Sequence, residues 1–471
     1  NISNGLVFDG EPYLAVNPMD EAHLVVAWMG FKFNEDLVIK TKYSTDGGDT
    51  WSSINNLPHQ LPGNSSADPS LQFDKNGNVF VCFIDYDRTN FTNGAVYVAK
   101  SADSGATWGT AVEAIGLQDC PGKYCVDRPW MEIDRSSGVN EGTIYVTSMN
   151  ADQNVNPPYN PYVSVSKDGG ISFQTPRLLD TSGFLAGNII PQPMPSPAIG
   201  ADGIFYAVYP SYVLAQNLLP TMIMASSNDA GASLNHRVVQ TYGAGSGITD
   251  DFAKKASYFM TDENDANHMA IVSLSQEKGD ADVYFSESFD KGVSWSPLVR
   301  VNQDPVSNGV MQDLIWADFN ANGDLAIAWR DRRNAGDTSY KVPTEIYAAV
   351  RMKNDTSFRE LVVSDQVVAH DTILEGNGND FMGLQLVGDN LYVAWGDVRT
   401  SKLNIFLTKM DIQDATSVTS LVHEANILTP IPNPSKDFIR FDGLTQNMSY
   451  QIVDIQGKLM DEGVYENEID V

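Results

Sequence analysis

Four segments of the sequence combine arginine with aspartate in a pattern that can bind an anionic ligand. They read DYDRTNF from Asp85, DRPW from Asp127, WRDRRN from Trp329 and WGDVRT from Trp395. A guanidinium group binds a carboxylate or a sulfate through two parallel hydrogen bonds. The alternative is that each arginine pairs with a neighbouring aspartate and joins adjacent parts of the fold. The substrate-binding residues that we predict are Arg88, Arg128, Arg330, Arg332 and Arg399.

A second set of residues is acidic and stands at the start of apolar runs. Its members are Glu11, Asp68, Asp127, Asp313 and Asp380. Crowded carboxylates raise one another's pKa, which makes a general acid near neutral pH, or they hold a cation. We predict catalytic roles for Asp127, Asp313 and Asp380. The alternative is that an acid beside a proline only caps the local backbone.

One histidine completes the predicted catalytic set. His370 lies in VAHDTILEGNGND, just before the last of these apolar runs, and could act as the base of a lyase. The segment DFNANGD begins like a calcium loop at Asp318, but its twelfth position is Trp329 instead of the required glutamate. We therefore predict a hairpin turn there and no metal or cofactor, with a structural calcium ion as the alternative.

Two repeats define the elements that must position these residues. The segment YSTDGGDTWSS contains the pattern S-x-D-x-G-x-T-W, which returns in full as SADSGATW, with Phe in the last place as SKDGGISF, and in two weaker copies, SNDAGASL and SFDKGVSW, all at intervals of roughly 60 residues. Each copy follows an apolar run, so it predicts a turn between two strands in which the aspartate accepts backbone hydrogen bonds. The structural aspartates of these turns are Asp46, Asp103, Asp168, Asp229 and Asp290.

The second repeat consists of seven apolar runs. Most of these runs are followed by a polar turn and then by another apolar run. This is the pattern of a hairpin that continues into a third and a fourth strand. It predicts an all-β fold, a β-propeller of four-stranded antiparallel blades, with seven blades expected and six as the alternative. The segment NISNGLVF is a candidate to close the ring. The loops between second and third strands share a face with the starts of the first strands, whereas the aspartate turns lie on the opposite face.

These motifs give the chain a resemblance to a known family over about residues 5–415. The repeated turns, together with DRPWMEID, AWRDRRN and AWGDVRT, resemble the Asp-box, or BNR-repeat, sialidase-like propellers. The resemblance implies a secreted, carbohydrate-directed protein related to glycoside hydrolases. The sequence has Glu11-Pro12 where true sialidases carry an Arg-Ile-Pro motif. Strict sialidase activity is therefore not expected.

The last part of the chain has a different character from the repeats. We predict a propeller over 1–425 and a separate, small β-sandwich-like segment over 426–471. PNPSKDFIRF and YQIVDIQGKLM resemble the C-terminal sorting domain of the type IX secretion system. The resemblance implies export by that machinery to the surface of a Bacteroidetes-type cell or beyond it. The alternative is a β-module that only binds the propeller.

Charge and composition exclude several classes of partner. Sixty acidic and thirty basic residues give a net charge of -30, which repels nucleic acid and anionic membranes. No segment reaches the roughly 18 apolar residues of a membrane span. We expect a monomer that binds a carbohydrate ligand. Cys120 and Cys125 are spaced for a small disulfide or for no bond, and Cys82 is expected to be buried.

Three functions remain open from the sequence. The first is a glycoside hydrolase that acts on an extracellular glycan, including an acidic one. The second is a polysaccharide lyase in which arginine neutralises a uronate. The third is a surface propeller that binds glycan or protein without catalysis.

Overall fold

Seven β-sheets follow one another along the chain in the computed structural model. The structure describes residues 1–5, 7–33, 35–89, 91–151, 160–187, 194–243, 257–372 and 379–413, and short strands between 430 and 470. Internal contacts divide the chain into two units, Asn1–Ser417 and Val418–Val471. Among the described residues, no helix has the length and apolar character to cross a membrane.

Six of the seven sheets in the described part of the first unit have four antiparallel strands, and the seventh has three. Blades 1 to 3 contain β1 Asp9–Asn17, β2 Asp20–Lys32, β3 Asp36–Ser44, β4 Asn55–Asn56, β5 Ser65–Phe73, β6 Val79–Tyr86, β7 Gly94–Ser101, β8 Val112–Gly116, β9 Trp130–Ile133, β10 Ile144–Met149, β11 Pro161–Ser166 and β12 Arg177–Leu178. Blades 4 and 5 contain β13 Ser196–Ile199, β14 Phe205–Ser211, β15 Thr221–Ser227, β16 Asn235–Thr241, β17 Ser257–Thr261, β18 Met269–Ser275, β19 Asp282–Ser288 and β20 Val299–Arg300. Blades 6 and 7 contain β21 Gln312–Phe319, β22 Leu325–Asp331, β23 Glu345–Arg351, β24 Arg359–Val362, β25 Gly383–Val387, β26 Asn390–Asp397 and β27 Asn404–Asp411. A short 3-10 helix, Leu117–Asp119, follows β8.

The first strands of the seven blades form a closed ring. Each of β1, β5, β9, β13, β17, β21 and β25 contacts the next, and β25 contacts β1. The N-terminal segment bonds to blade 7, where Ile2 N donates to Ile405 O at 2.7 Å and Asp9 N to Leu403 O at 2.8 Å. The seven-bladed propeller is confirmed, and the ring closes between its first and last blades.

Aromatic side chains in or just before the first strands fill the centre of the ring. Trp130 stacks on Trp316 with ring centroids 5.1 Å apart, and its indole N–H donates to the Tyr13 hydroxyl at 2.6 Å. Tyr258 lies 5.3 Å and Phe381 6.0 Å from Trp316. We call these five residues the aromatic plug. Because the plug closes the axis, acids that point to the centre lie on one side of it or on the other.

Five of the seven first strands have a residue in the left-handed region of backbone conformation near their start, either just before the strand or within its first four residues. Their φ values lie between 44° and 56°, and in blades 1, 2 and 6 the strand register shifts at this point. Such a conformation is costly for a residue other than glycine, so the surrounding structure must hold it. The five residues are Glu11, Asp68, Arg128, Leu314 and Asn379. Asp127 and Asp313 therefore precede the equivalent position, and Asp380 follows it.

The five S-x-D-x-G turns all connect the third strand of a blade to the segment that leads to its fourth. In the first turn, Ser44 Oγ donates to Asp46 Oδ1 at 2.7 Å and accepts from Gly48 N at 2.9 Å. Thr50 N donates to the same Asp46 oxygen at 2.8 Å. Hydrogen bonds from Thr50 and Ser44 lower the pKa of Asp46 to about 2, and the other four aspartates have the same pKa for the same reason. The turns lie at the end of the blades opposite the starts of the first strands.

The second unit contains five short strands. They are β28 Pro430–Ile431, β29 Phe438–Phe441, β30 Met448–Val453, β31 Leu459–Tyr465 and β32 Ile469–Asp470. β29 pairs with β28 and β32, and β30 pairs with β31, all antiparallel. The identity of this unit as a sorting domain stays a prediction.

We expect Asp46→Ala and Asp103→Ala to lower the melting temperature at pH 7 by about 2 °C each, because backbone and hydroxyl donors lose their acceptor. The pKa of each aspartate is lowered in the folded state. The stabilisation is therefore present above the ordinary aspartate pKa and is lost as the pH falls towards 2. Thermal unfolding at pH 7 and at pH values below 4 measures both effects. Asp49→Ala, at an exposed position in the first turn, is the control, and equal melting temperatures for Asp46→Ala and Asp49→Ala would contradict the expectation.

Candidate functional site

Four carboxyl groups surround the guanidinium of Arg128 on the side of the aromatic plug where the first strands begin. Arg128 Nη1 donates to Asp127 Oδ2 at 2.6 Å, and Nη2 donates to Asp380 Oδ2 at 2.8 Å. The backbone N of Arg128 donates to Asp68 Oδ2 at 3.0 Å, and that of Asp380 to Glu11 Oε1 at 3.4 Å. These residues, Glu11, Asp68, Asp127, Arg128 and Asp380, are called the entrance cluster. It joins blades 1, 2, 3 and 7 across the axis.

Two acids of the entrance cluster hold their protons more strongly than ordinary carboxyl groups. Burial, together with the nearby carboxyl groups of Asp68 and Asp380, raises the pKa of Glu11 well above its ordinary value. Burial raises the pKa of Asp127 to about 7, although Arg128 opposes the shift. Near neutral pH the cluster therefore contains protonated carboxyl groups beside ionised ones, which is the combination that acid catalysis requires.

The side chains of the entrance cluster differ in how much of their surface is exposed to solvent. The side chains of Arg128 and Asp127 keep 20% and 17% of their surface exposed, whereas Glu11, Asp68 and Asp380 are buried. Among the described residues, Glu11 Oε2 is a buried oxygen without a hydrogen-bond donor. A ligand that approaches from solvent would therefore meet Asp127 and Arg128 first.

The local sequence explains why the backbone can place these groups together. Glu11, Asp68 and Arg128 are each followed by a proline, which cannot donate a ladder hydrogen bond and suits a strand start or a bulge. The left-handed residue before the proline changes the direction of the chain. Tyr13 and Trp130, which follow these prolines in blades 1 and 3, then lie in the aromatic plug. Strain of this kind is typical of functional sites, because surrounding contacts must maintain it.

A second pair of acids lies beyond the aromatic plug. Glu132 and Asp318 each follow a plug residue by two positions, so they share a strand face with Trp130 and Trp316. Burial raises the pKa of Glu132 to about 8 and that of Asp318 to about 7. Gln72 Nε2 donates to Glu132 Oε2 at 3.1 Å. These acids are absent from the residues predicted from the sequence, although their spacing of two positions from Trp130 and Trp316 is a usable signal.

Two arginines of blade 6, Arg330 and Arg332, both form ion pairs with Asp313. Arg330 Nε and Nη2 donate to the two oxygens of Asp313 at 2.8 and 2.6 Å, and Arg332 Nη1 donates to Oδ1 at 3.0 Å. The two guanidinium groups hold the pKa of Asp313 well below its ordinary range, despite its burial. The Tyr340 hydroxyl accepts from Arg330 Nη2 at 2.9 Å. An ionised carboxylate between two cations cannot supply a proton, so Asp313 as it stands is not a general acid.

A well-defined cleft among the described residues lies between blades 6 and 7 and not at the entrance cluster. It encloses about 390 Å³, part of which is open to solvent. The polar side chains that line it include Arg330, Glu345, Asp371 and Asp397. Arg330 faces this cleft with its guanidinium already bonded to Asp313. Three carboxylates and one paired guanidinium do not favour a second anion here.

The remaining predicted residues lie in separate places. Arg399 forms hydrogen bonds with Asp397 at 2.7 to 3.0 Å and with Asp365. Arg88 is 53% exposed and lies 3.6 Å from Asp36. The His370 ring packs edge-on against Tyr340, with ring centroids 5.4 Å apart. The structure brings Asp127, Arg128 and Asp380 together, but it does not bring Arg88, Arg332 or Arg399 to them, and their roles in binding stay predictions.

The Cys120–Cys125 disulfide stands directly before the entrance cluster. It closes a short loop that contains Tyr124. The backbone N of Tyr124 donates to Asn150 Oδ1 at 2.9 Å, and this hydrogen bond restrains the loop. Ala151 N in turn donates to Tyr124 O at 2.8 Å. Cys82 is a buried free cysteine, as expected. The disulfide therefore fixes the chain that leads into Asp127.

No group of three or more histidine, cysteine, aspartate or glutamate side chains in the described part of the chain is arranged to hold a metal ion. The DFNANGD segment forms the turn between β21 and β22, as predicted, and Asn320 Nδ2 donates to Asp324 Oδ2 at 2.9 Å. Asp318, the first residue of that segment, lies at the end of β21 and not in a loop.

No protein-family description and no curated protein matches the chain. Solved structures similar to it include a Hadza microbial sialidase, with 12% identity, a TM-score of 0.46, and coverage of 80% of this chain and 74% of the other. The Penicillium chrysogenum alpha-L-arabinanase has 12% identity, a TM-score of 0.49 and coverage of 88% and 99%. The phage phi92 endosialidase has 12% identity, a TM-score of 0.48 and coverage of 99% and 78%. At such identities the similarity concerns the fold alone.

We expect the unfolded protein to react with a thiol reagent at Cys82 alone until a reductant is added, and at all three cysteines afterwards. The paired substitution Cys120→Ser with Cys125→Ser should lower the free energy of unfolding by about 2 kcal/mol, because the unfolded chain gains the freedom of the opened loop. Thiol counts in denaturant and urea unfolding measure these effects. Three reactive thiols without reductant would contradict the bond.

We expect the wild-type protein to lose stability as the pH rises from about 4.5 through about 8, because the pKa of Glu132 is raised and its ionisation opposes folding. Glu132→Gln cannot ionise, so its melting temperature should fall about 2–3 °C less over that interval. Thermal unfolding between pH 5 and 8.5 measures the difference. Glu277→Gln, at an exposed site, is the control and should follow the wild type. Parallel curves for Glu132→Gln and the wild type would contradict the burial argument.

Proposed function

We propose that the protein is a glycoside hydrolase of an extracellular, neutral glycan, with the entrance cluster as its active site. The observation that carries the proposal is the accessible Asp127 carboxyl, whose pKa is about 7, beside ionised carboxylates around Arg128. Glycoside hydrolysis uses one protonated carboxyl group and one ionised partner on either side of the scissile bond. Both kinds of group are present at this end of the axis.

The role that we propose for each residue of the entrance cluster follows from its solvent exposure and from whether its side chain carries a proton. Asp127 is the general acid, which protonates the leaving oxygen as the glycosidic C–O bond breaks. Asp68 supplies a carboxylate that stabilises the positive charge developing on the sugar ring, and the hydrogen bond that it accepts from Arg128 N at 3.0 Å fixes its direction. Water adds its hydroxyl to the anomeric carbon, and its proton returns to the carboxyl groups of the cluster. Arg128 is a positioning residue that holds Asp127 and Asp380.

The charge balance favours a neutral substrate over an acidic one. Four carboxyl groups surround one guanidinium in the entrance cluster, so even with Glu11 protonated the cluster is not positive. Arg330 and Arg399 are paired with Asp313 and Asp397. A lyase of uronates requires an arginine that neutralises the substrate carboxylate, and these pairings argue against that alternative. A binding propeller would not require a protonated acid at a position that a ligand can reach.

Export from the cell is part of the proposal. Disulfides form and persist in oxidising environments outside the cytosol, which supports a secreted or surface location for the Cys120–Cys125 bond. The route through the type IX secretion machinery is proposed from the sequence of residues 426–471.

We expect Asp127→Asn to lower kcat/KM by at least about 100-fold, because the amide cannot donate a proton to the leaving group. In the wild type, kcat/KM should fall as the pH rises through about 7, since only protonated Asp127 is active. Release of reducing ends from arabinan, galactan, xylan and glucan at several pH values measures both effects. Asp337→Asn, at an exposed site between β22 and β23, is the matched control.

Two outcomes would contradict this function. Unsaturated uronate products, detected by ultraviolet absorbance in a parallel assay on pectate and alginate, would indicate a lyase. Folded wild-type protein that releases reducing ends from none of the glycans would indicate a binding protein without catalysis.

A further inference from the structure

Three aromatic rings form a group beside the entrance cluster. Phe91 stacks on Tyr86 with ring centroids 5.9 Å apart and an interplanar angle of 24°. Tyr124 meets Phe91 edge-on at 5.4 Å and 84°. Phe91 is 52% exposed in the loop between β6 and β7, while the two tyrosines lie mostly inside. We call the three rings the aromatic platform. An exposed phenylalanine supported from below by other rings presents a rigid apolar face to solvent.

The aromatic platform adjoins the proposed active site. Tyr86 ends β6 and pairs with Ser65, three residues before Asp68. Tyr124 stands three residues before Asp127. The charges of Asp68 and Asp127 act on both tyrosines and, with burial as the main cause, raise the pKa of each hydroxyl. The aromatic platform therefore lies on the same side of the propeller as Asp127.

Both sides of the platform are held in place before any ligand binds. Tyr124 is fixed by the Cys120–Cys125 loop and by Asn150 Oδ1. Phe91 N donates to Asp87 O at 2.9 Å, and the Phe91 backbone has a φ of 52°. A bulky residue in the left-handed region is strained, and here the strain keeps an apolar ring in solvent. Preorganised aromatic groups lower the entropic cost of binding.

We propose that Phe91, supported by Tyr86 and Tyr124, is a binding subsite for the apolar face of one sugar ring of a neutral glycan. One face of a pyranose or furanose ring presents C–H groups, and an aromatic ring covers them without requiring charge. The subsite places that sugar next to Asp127, so it also determines which bond of the glycan reaches the acid. This inference rests on the proposed function, because it takes the entrance cluster as the place of cleavage.

Affinity electrophoresis of the full-length protein tests the platform apart from catalysis. Native gels that contain soluble arabinan, galactan, xylan or glucan are run with Asp127→Asn, which is expected to bind without cleaving, and with the same variant carrying Phe91→Ala or Phe91→Trp. The matched control is Phe33→Ala, because Phe33 is 81% exposed in the loop between β2 and β3 of blade 1. We expect Phe91→Ala to weaken retardation by about tenfold in dissociation constant. Phe91→Trp and Phe33→Ala should leave it close to that of the parent.

Each outcome decides at least one of the two proposals. If the parent is retarded and Phe91→Ala is retarded equally, the platform is wrong while the hydrolase proposal stands. Equal losses for Phe91→Ala and Phe33→Ala also overturn the platform, because the effect is then general to the face. If Phe91→Ala alone loses binding but Asp127→Asn still cleaves, the platform stands and the assignment of Asp127 is wrong. Absence of retardation in every gel overturns both.

Discussion

The interaction on which this structure depends is the ion pairing of Arg128 across the propeller axis. Its guanidinium bonds to Asp127 of its own blade and to Asp380 of blade 7, and its backbone N bonds to Asp68 of blade 2. Removal of one partner from a buried ion pair leaves an uncompensated charge and costs about 3–5 kcal/mol. The same contacts that join distant blades therefore also set the charge and the protonation of the proposed active site.

Aspartates at the two ends of the blades have pKa values shifted in opposite directions, because their surroundings differ. The turn aspartates, such as Asp46, are exposed and accept several hydrogen bonds, so their pKa is about 2. Asp127 is enclosed near other carboxylates, so its pKa is about 7 despite its contact with Arg128. In a chain of net charge -30, solvation and local donors decide which acids keep a proton. Local hydrogen bonds stabilise the turns at one end, and chemistry is proposed at the other.

The aromatic plug separates the two polar regions of the axis. Trp130 and Trp316 stack at its centre, and the half-buried acids Glu132 and Asp318 lie beyond them. Because the plug excludes passage along the axis, a ligand must approach the entrance cluster from the face that also carries Phe91. The blade 6 arginines support this face by holding Asp313 ionised, instead of offering free cations to a ligand.

The sequence by itself determined the propeller, the repeated turns and the face on which the entrance acids lie, because alternating apolar residues and turn chemistry act over a few neighbouring residues. It also placed Asp127, Arg128 and Asp380 in the candidate set. Only the tertiary structure decided which charged groups meet, because blades far apart in sequence come together at the axis. A left-handed residue such as Leu314 shifts the strand register, so acids that look equivalent in the repeats, including Asp313, do not occupy equivalent positions. The pairing of each arginine and the protonation of each acid depend on those neighbours, which no local pattern specifies.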